Sequence, residues 1–226
     1  MSETCRPQAV KAIQENLKLV EGQLTILHGK LTRPKMRIIQ KTMTSSMALG
    51  EDLLSLFPSK EDTPDNQLPQ CLVYSSTWHK TMKVLEVVDR ARGTPGGLLD
   101  PKTSTVRRFH ACTGEFDKAD TICDFASKKA RLISCTMALG MGQNWPHVQT
   151  VIHIGRDDPL LICQMIGHVG RDGRPCLAIL LFKPSCHNGK NHLSKFPDGK
   201  AWLDDDRMDA LALTPLCLRI AFSLDN

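Results

Sequence analysis

Arg171 has the clearest capacity for chemistry in this sequence. It stands in the run Gln164-Met165-Ile166-Gly167-His168-Val169-Gly170-Arg171-Asp172-Gly173, at the end of a predicted helix. A guanidinium presents a planar fork that suits phosphate oxygens. Gly167, Gly170 and Gly173 permit close backbone approach and left-handed turns beside it. Gln164 lies seven residues earlier and is brought to the same end of the helix. On spacing alone, a helix-to-strand turn with a solvated arginine accounts for the run at least as well.

A second segment shifts that balance. Leu132-Ile133-Ser134-Cys135-Thr136 reads as a buried strand ending in a hydroxyl, followed by Gly140-Met141-Gly142 and then Asn144 before Trp145-Pro146. Ligands of open parallel sheets lie outside the carboxyl ends of the strands. Thr136 and the glycine amides would lie there and could donate to phosphate oxygens.

The elements that must position these residues follow a clear rhythm over residues 70–183. Cys71–Ser75, Thr105–His110, Arg131–Thr136, Thr150–Ile154 and Leu177–Phe182 read as strands. Lys80–Arg92, Glu115–Ser127 and Pro159–Gly167 read as helices, the last with proline at its start. Alternation of this kind predicts an α/β fold with a mostly parallel sheet covered by helices on both faces. Leu177–Phe182 is apolar without alternation, as a strand buried on both faces should be. Before this block, Gln8–Val20 and Met43–Phe57 read as helices, and Leu24–His28 and Met36–Gln40 as short strands. Pro58–Pro69 reads as a linker or long loop. After the block, Asp204-Asp205-Asp206 reads as a solvated turn, and the apolar run Leu211–Leu224 has nothing within the tail to pack on.

Composition narrows the function classes. The chain has 226 residues, 41% hydrophobic and 23% charged, which excludes bulk disorder and a fibrous fold. Its longest apolar run, Cys176–Phe182, is far short of the roughly 20 residues that span a bilayer, so no membrane partner is expected. The first residues lack the apolar core of a secretory signal. Nine cysteines without a C-x-x-C pair predict reduced thiols in an intracellular protein. A net charge of +5 suits a polyanion but also many ordinary enzymes. Cys186-His187 with His192 lacks the paired spacing of a zinc site, so no metal is predicted there. Lys128-Lys129-Ala130-Arg131 and Arg107-Arg108 read either as solvated helix ends or as a phosphate-tracking groove. Trp78 and Trp145 could stack on bases, although a tryptophan beside Pro146 more often packs.

Taken in order, these segments resemble motifs V and VI of superfamily-2 helicases, most closely those of RecQ-like DNA helicases. The matching pieces are Cys135-Thr136, Gly140-Met141-Gly142-x-Asn144-x-Pro146 and Gln164-x-x-Gly167-x-x-Gly170-Arg171-Asp172-Gly173. Leu72-Val73-Tyr74-Ser75-Ser76 resembles motif IV, and Phe109-His110-Ala111 the Tyr-His-Ala of that family. Ile26–Pro34 resembles the junction that leaves the first motor lobe. The resemblance covers roughly residues 24–183, with a weaker match in the tail.

The resemblance implies a RecA-like second lobe of a 3′→5′ DNA helicase. Arg171 would be the arginine finger at the γ-phosphate. Gln164, Asn144, Gly167 and Gly170 would border the nucleotide, and Thr136, Ser75 and His110 would hold the DNA backbone. The implied partners are single-stranded or junction DNA and a first RecA-like lobe, with ATP and Mg²⁺ bound only in that lobe's presence. It further implies a nuclear location and roles in DNA repair and recombination. The implied division is 1–65 for the end of the first lobe and a linker, 66–186 for the second lobe, and 187–226 for a tail leading toward a further subdomain.

Two features depart from the family. His168 stands where the family carries arginine, and imidazole lacks the bidentate fork. No Gly-x-x-x-x-Gly-Lys-Ser/Thr loop and no Mg²⁺-binding acidic box occur, so the chain by itself is expected not to hydrolyse ATP. A stand-alone degenerate lobe that only binds DNA or protein, or a non-functional fragment, is the alternative.

Overall fold

The structure, a computed structural model, describes residues 6–19, 25, 33–46, 49–100, 105–139, 144–196 and 202–225. Among the described residues six strands form one sheet: β1 (Met36–Thr42), β2 (Cys71–Ser75), β3 (Val106–Phe109), β4 (Leu132–Cys135), β5 (Thr150–Ile154) and β6 (Cys176–Phe182). Their order is β1-β6-β5-β2-β4-β3, and every pairing is parallel. The sequence alternation of strand and helix therefore translates directly into the expected α/β architecture.

Successive residues of the inner strands feed two separate cores. Leu72, Tyr74, Ala178, Leu180 and Phe182 join the core that also holds Phe125, Ile162, Met165 and Ile166. Cys71, Val73, Ile179 and Leu181 join the one with Val84, Val87, Val88 and Leu53. A period of two sends neighbours to opposite faces, so a strand without a polar face is one covered twice.

The helices are α1 (Pro7–Asn16), α2 (Glu51–Leu54), α3 (Trp78–Arg92), α4 (Glu115–Ala126), α5 (Pro159–Ile166), α6 (Asp204–Leu213) and α7 (Leu218–Asp225). Thr77 caps α3 by accepting from the Lys80 backbone N–H, and Gly93 ends it at φ 68°. Asp158 caps α5 by accepting from Leu160 N–H, with Pro159 in the first turn. Both ends follow the usual division of cap residues.

Three expectations need correction. The helix expected over Met43–Phe57 shrinks to Glu51–Leu54. The Asp52 carboxylate accepts from the backbone N–H and hydroxyl groups of Thr44 and Ser45, at 2.7–3.1 Å. Those side-chain bonds hold the preceding segment in a turn instead of a helix. The acidic run 204–206 is not a solvated turn but the first turn of α6, where carboxylates suit the helix dipole. Leu211–Leu224 is likewise not unpartnered, since Leu211, Ala212, Leu218 and Phe222 are buried in the main core.

Two further segments depart from the reading. The apolar stripe of α1 stays exposed at Ile13 and Leu17. The strand expected at Leu24–His28 and most of the Ile26–Pro34 junction lie outside the described residues. β1, from the segment expected to precede the lobe, is hydrogen-bonded along its length to β6. The sheet thus continues across position 65.

Asp52 carries a pH prediction. Burial alone would raise its carboxyl, but the hydrogen bonds from Ser45 and Thr44 outweigh it and hold the group well below the usual carboxylate range. A depressed native value contributes stability above the unfolded value of about 3.9, and that stability fades as pH falls below it. Asp52→Asn should cost roughly 1–3 kcal/mol at pH 7. It should also flatten the loss between pH 5 and pH 3, read as urea midpoints across that range.

Candidate functional site

Because all six strands are parallel, Ser75, His110 and Thr136 arrive at one sheet edge, at the carboxyl ends of β2, β3 and β4. Thr136 N–H donates to Phe109 C=O at 3.1 Å, tying the last two of these ends together. The Ser75 hydroxyl donates to Thr77 C=O at 3.5 Å. His110 is buried, and its Nε2 accepts from Arg108 Nε at 2.9 Å and lies 2.6 Å from Arg108 Nη2. Arginine can only donate, so Nε2 is the acceptor and the ring proton sits on Nδ1. Burial, with the charges of Arg108 and Lys118, pushes the His110 pKa down, which keeps the ring neutral.

This edge is cationic. The Lys80 ammonium donates to Ser76 Oγ at 2.7 Å. Burial and the nearby Lys183 charge lower its pKa. Lys80, Lys183 and Arg108 have no carboxylate partner among the described residues. The two basic runs read from sequence separate here. Arg107 is buried against Asp124 at 2.8 and 3.0 Å, and Lys129 pairs with the same carboxylate at 3.2 Å. Arg131 donates to the carbonyls of Asn66 and Leu68. These three brace the opposite edge, whereas Arg108 joins Lys80 and Lys183 at the carboxyl edge.

Arg171 occupies a different place. Gly170 N–H donates to Val148 C=O at 2.9 Å, just before β5, and the run ends where Cys176 opens β6. The turn that carries Arg171 thus packs beside the amino ends of β5 and β6, while its charge reaches Tyr74 of β2. Its Nη1 donates to Asn144 Oδ1 at 2.9 Å and its Nε to Gly167 C=O at 3.3 Å; Nη2 lies 3.4 Å from His168 Nδ1. Asn144 and Gly167 thus meet at the same fork. Gln164 lies in the last turn of α5, partly buried. Gly140–Gln143, the glycine turn expected to donate to phosphate, lies outside the described residues.

His168 is buried, with its ring 6.5 Å from that of Tyr74 on β2. Tyr74 is itself buried, which pushes its pKa far up, and its hydroxyl has no hydrogen-bond partner among the described residues.

The two glycines differ in need. Gly167 has an ordinary helical φ of −61°. Gly170 has φ 63°, and an added Cβ would collide with Cys176 Sγ. Gly170→Ala should therefore destabilise by about 1–3 kcal/mol. A thermal melt several degrees lower would show it.

Two supports escaped the sequence reading. Arg33 Nη1 donates to the carbonyls of Gly167 and Val169 at 2.9 and 2.7 Å, fixing the turn that carries Arg171. Arg219 in turn donates to the carbonyls of Arg33 and Met36. A lone arginine 134 residues from its partner leaves no local signal.

Trp145 is buried and packs edge-on against Phe125, with centroids 5.0 Å apart, so it is a core residue. Among the described residues no group of three or more His, Cys, Asp or Glu could hold a metal ion, and no helix is long and apolar enough to cross a membrane. A cavity of about 100 Å³ beside Arg92, Asp65 and Thr94 is remote from both clusters.

Residues 60–173 match the family described as helicase conserved C-terminal domain. The chain is 30% identical over 126 residues to the probable ATP-dependent DNA helicase RecS of Bacillus subtilis, covering 49% of this chain and 25% of RecS. It is 29% identical over 163 residues to the human ATP-dependent DNA helicase Q4, covering 70% of this chain and 13% of that protein. The chain thus spans a quarter or less of the length of these two relatives. Among solved structures, S. cerevisiae Dbp5 bound to RNA and ADP BeF3 superposes with a TM-score of 0.59 at 18% identity, over 80% of this chain and 44% of that one. That likeness identifies the fold, a RecA-like helicase lobe.

Proposed function

The chain belongs to the helicase conserved C-terminal domain family, the second lobe of superfamily-2 helicases, and from that premise we propose that it is the second motor lobe of a RecQ-like 3′→5′ DNA helicase. In this reading it completes an ATP cleft against a first lobe and holds the backbone of single-stranded or junction DNA. The carrying observation is the Arg171 fork, held by Asn144 Oδ1 and Gly167 C=O in a defined orientation. A held guanidinium neutralises charge that develops on a transferred phosphoryl group without first having to reorganise. By the family resemblance, Gln164 and the turn at Gly170 would border the same nucleotide. Ser75, Thr136 and His110 supply the hydroxyl and N–H groups that suit a phosphodiester chain. Contacts of that kind position a strand but read no sequence.

These residues fit half of a nucleotide site. They offer a guanidinium for phosphate but no group to hold Mg²⁺ among the described residues. The metal and the remaining phosphate contacts would come from a first lobe, and ATP supplies the free energy of the motor when bound there. The segment from Thr136 to Val148 joins the two clusters, with one end at the cationic edge and Asn144 against Arg171. A nuclear location belongs to the same proposal.

A second reading, a lobe that only binds nucleic acid or protein, is favoured by His168 in place of the family's arginine. One experiment separates the two. The chain is fused to the Walker A lobe of a RecQ-like helicase, and ATP hydrolysis is measured with and without single-stranded DNA. Hydrolysis stimulated by DNA in the fusion, and absent from either half, supports the motor reading. DNA binding without any hydrolysis supports the binding module.

A further inference from the structure

Trp78 is a large apolar side chain left 49% exposed at the cationic edge. It opens α3 after Ser75, Ser76 and the capping Thr77, so its place follows from where β2 ends. Its indole stacks on the His79 ring, with centroids 3.5 Å apart and planes inclined by 27°. The His110 ring lies 6.4 Å away, tilted by 49°. Trp145, by contrast, is spent in the core. Toward β3, Arg108 is turned onto His110; on the other side of β2, Lys80 holds Ser76 and senses the Lys183 charge beyond β6. No carboxylate pairs with these three cations among the described residues. Cations without carboxylate partners on both sides of an exposed indole suit a polyanion laid across the carboxyl ends of the strands. The His110 Nδ1 at the same edge is buried without a hydrogen-bond partner among the described residues.

We propose that Trp78 stacks on an unpaired base of single-stranded DNA, with Lys80 and Lys183 neutralising the flanking phosphates. This rests on the reading that Ser75, Thr136 and His110 hold the backbone, and adds a contact with the base. Duplex DNA presents its bases already stacked, so the contact favours single strands. Aromatic stacking is tolerant of sequence, because every base has a π-face.

The test uses the whole chain and fluorescence anisotropy. The probes are a labelled thymidine oligonucleotide of about 15 nucleotides and an abasic strand with the same number of phosphates. The wild-type chain should bind the thymidine strand roughly 10–100-fold more tightly than the abasic one. Trp78→Ala should remove that difference while leaving abasic binding unchanged, and Trp78→Phe should keep most of it. Lys80→Ala should weaken binding to both strands and reduce the salt dependence. Equal binding of both strands by the wild type would overturn the stacking while leaving the backbone reading intact. Binding to neither would overturn both. Loss of abasic binding in Trp78→Ala would also overturn it, since a stacking residue does not hold the phosphates. Tighter binding to oligouridylate than to oligothymidylate would overturn the choice of DNA.

Discussion

In the two-lobe fusion, Arg171→Ala should lower the rate of DNA-stimulated ATP hydrolysis by about 10³–10⁵-fold, the range over which an arginine finger acts in other nucleotide hydrolases. The loss should fall on kcat, with KM for ATP little changed, because the guanidinium is needed where charge develops and not where the ground state binds. Arg171→Lys should recover little. An ammonium lacks the planar fork that donates to Asn144 Oδ1 and Gly167 C=O from two fixed nitrogens and that matches phosphate oxygens. Asn144→Ala should give a smaller loss, since it frees the fork without removing its charge. His168→Arg, which restores the family residue, should raise the rate of the wild-type fusion. Steady-state rates over a range of ATP concentrations measure all four. An Arg171→Ala fusion that hydrolyses ATP within tenfold of wild type would remove the arginine from the mechanism.

The second large effect concerns stability. Arg156 follows β5 by two residues and donates to Asp209 of α6 at 2.5 Å, with both side chains almost fully buried. Asp209 also accepts from Lys190 N–H at 2.6 Å, and Arg156 reaches the carbonyls of Lys183, Pro184 and Lys190. Removing one member leaves the other charged and out of water. Asp209→Ala should therefore cost about 3–5 kcal/mol, which lowers the melting temperature by roughly 6–20 °C for a chain of this size. Arg156→Met should cost a similar amount. The double variant should cost less than the sum, with a coupling of about 0.5–3 kcal/mol in a thermodynamic cycle. Strict additivity would mean that the pair does not anchor α6 to the sheet. The same pair explains why the segment after β6 is part of the folded lobe.

Much of this fold was legible from periodicity. Unbroken apolar strands such as Leu177–Phe182 mark a sheet covered on both faces, because each face needs its own apolar residues. Pro159 and Gly93 mark helix ends by chemistry that acts within one or two residues. The boundaries failed where a side chain competes with the backbone, as Asp52 does by drawing in Thr44 and Ser45. The acidic run 204–206 misled for a related reason, since charge alone does not distinguish a solvated turn from the first turn of a helix.

The candidate site divides along the same line. Sequence alone determined the types and order of the residues, and the family resemblance assigned Arg171 and Gln164 to the nucleotide and Ser75, His110 and Thr136 to the DNA backbone. The sequence also showed that the chain encodes no Walker A loop. Tertiary structure decided which residues meet. It turned Asn144 onto Arg171 across 27 residues and brought Arg33 to the glycine turn across 134. It buried Trp145 while leaving Trp78 half exposed, and it sent Arg107 and Arg108 to opposite tasks although they are neighbours. Local interactions reach only as far as one turn or one strand pair, whereas long side chains on separate elements meet only where the packed sheet and its helices carry them.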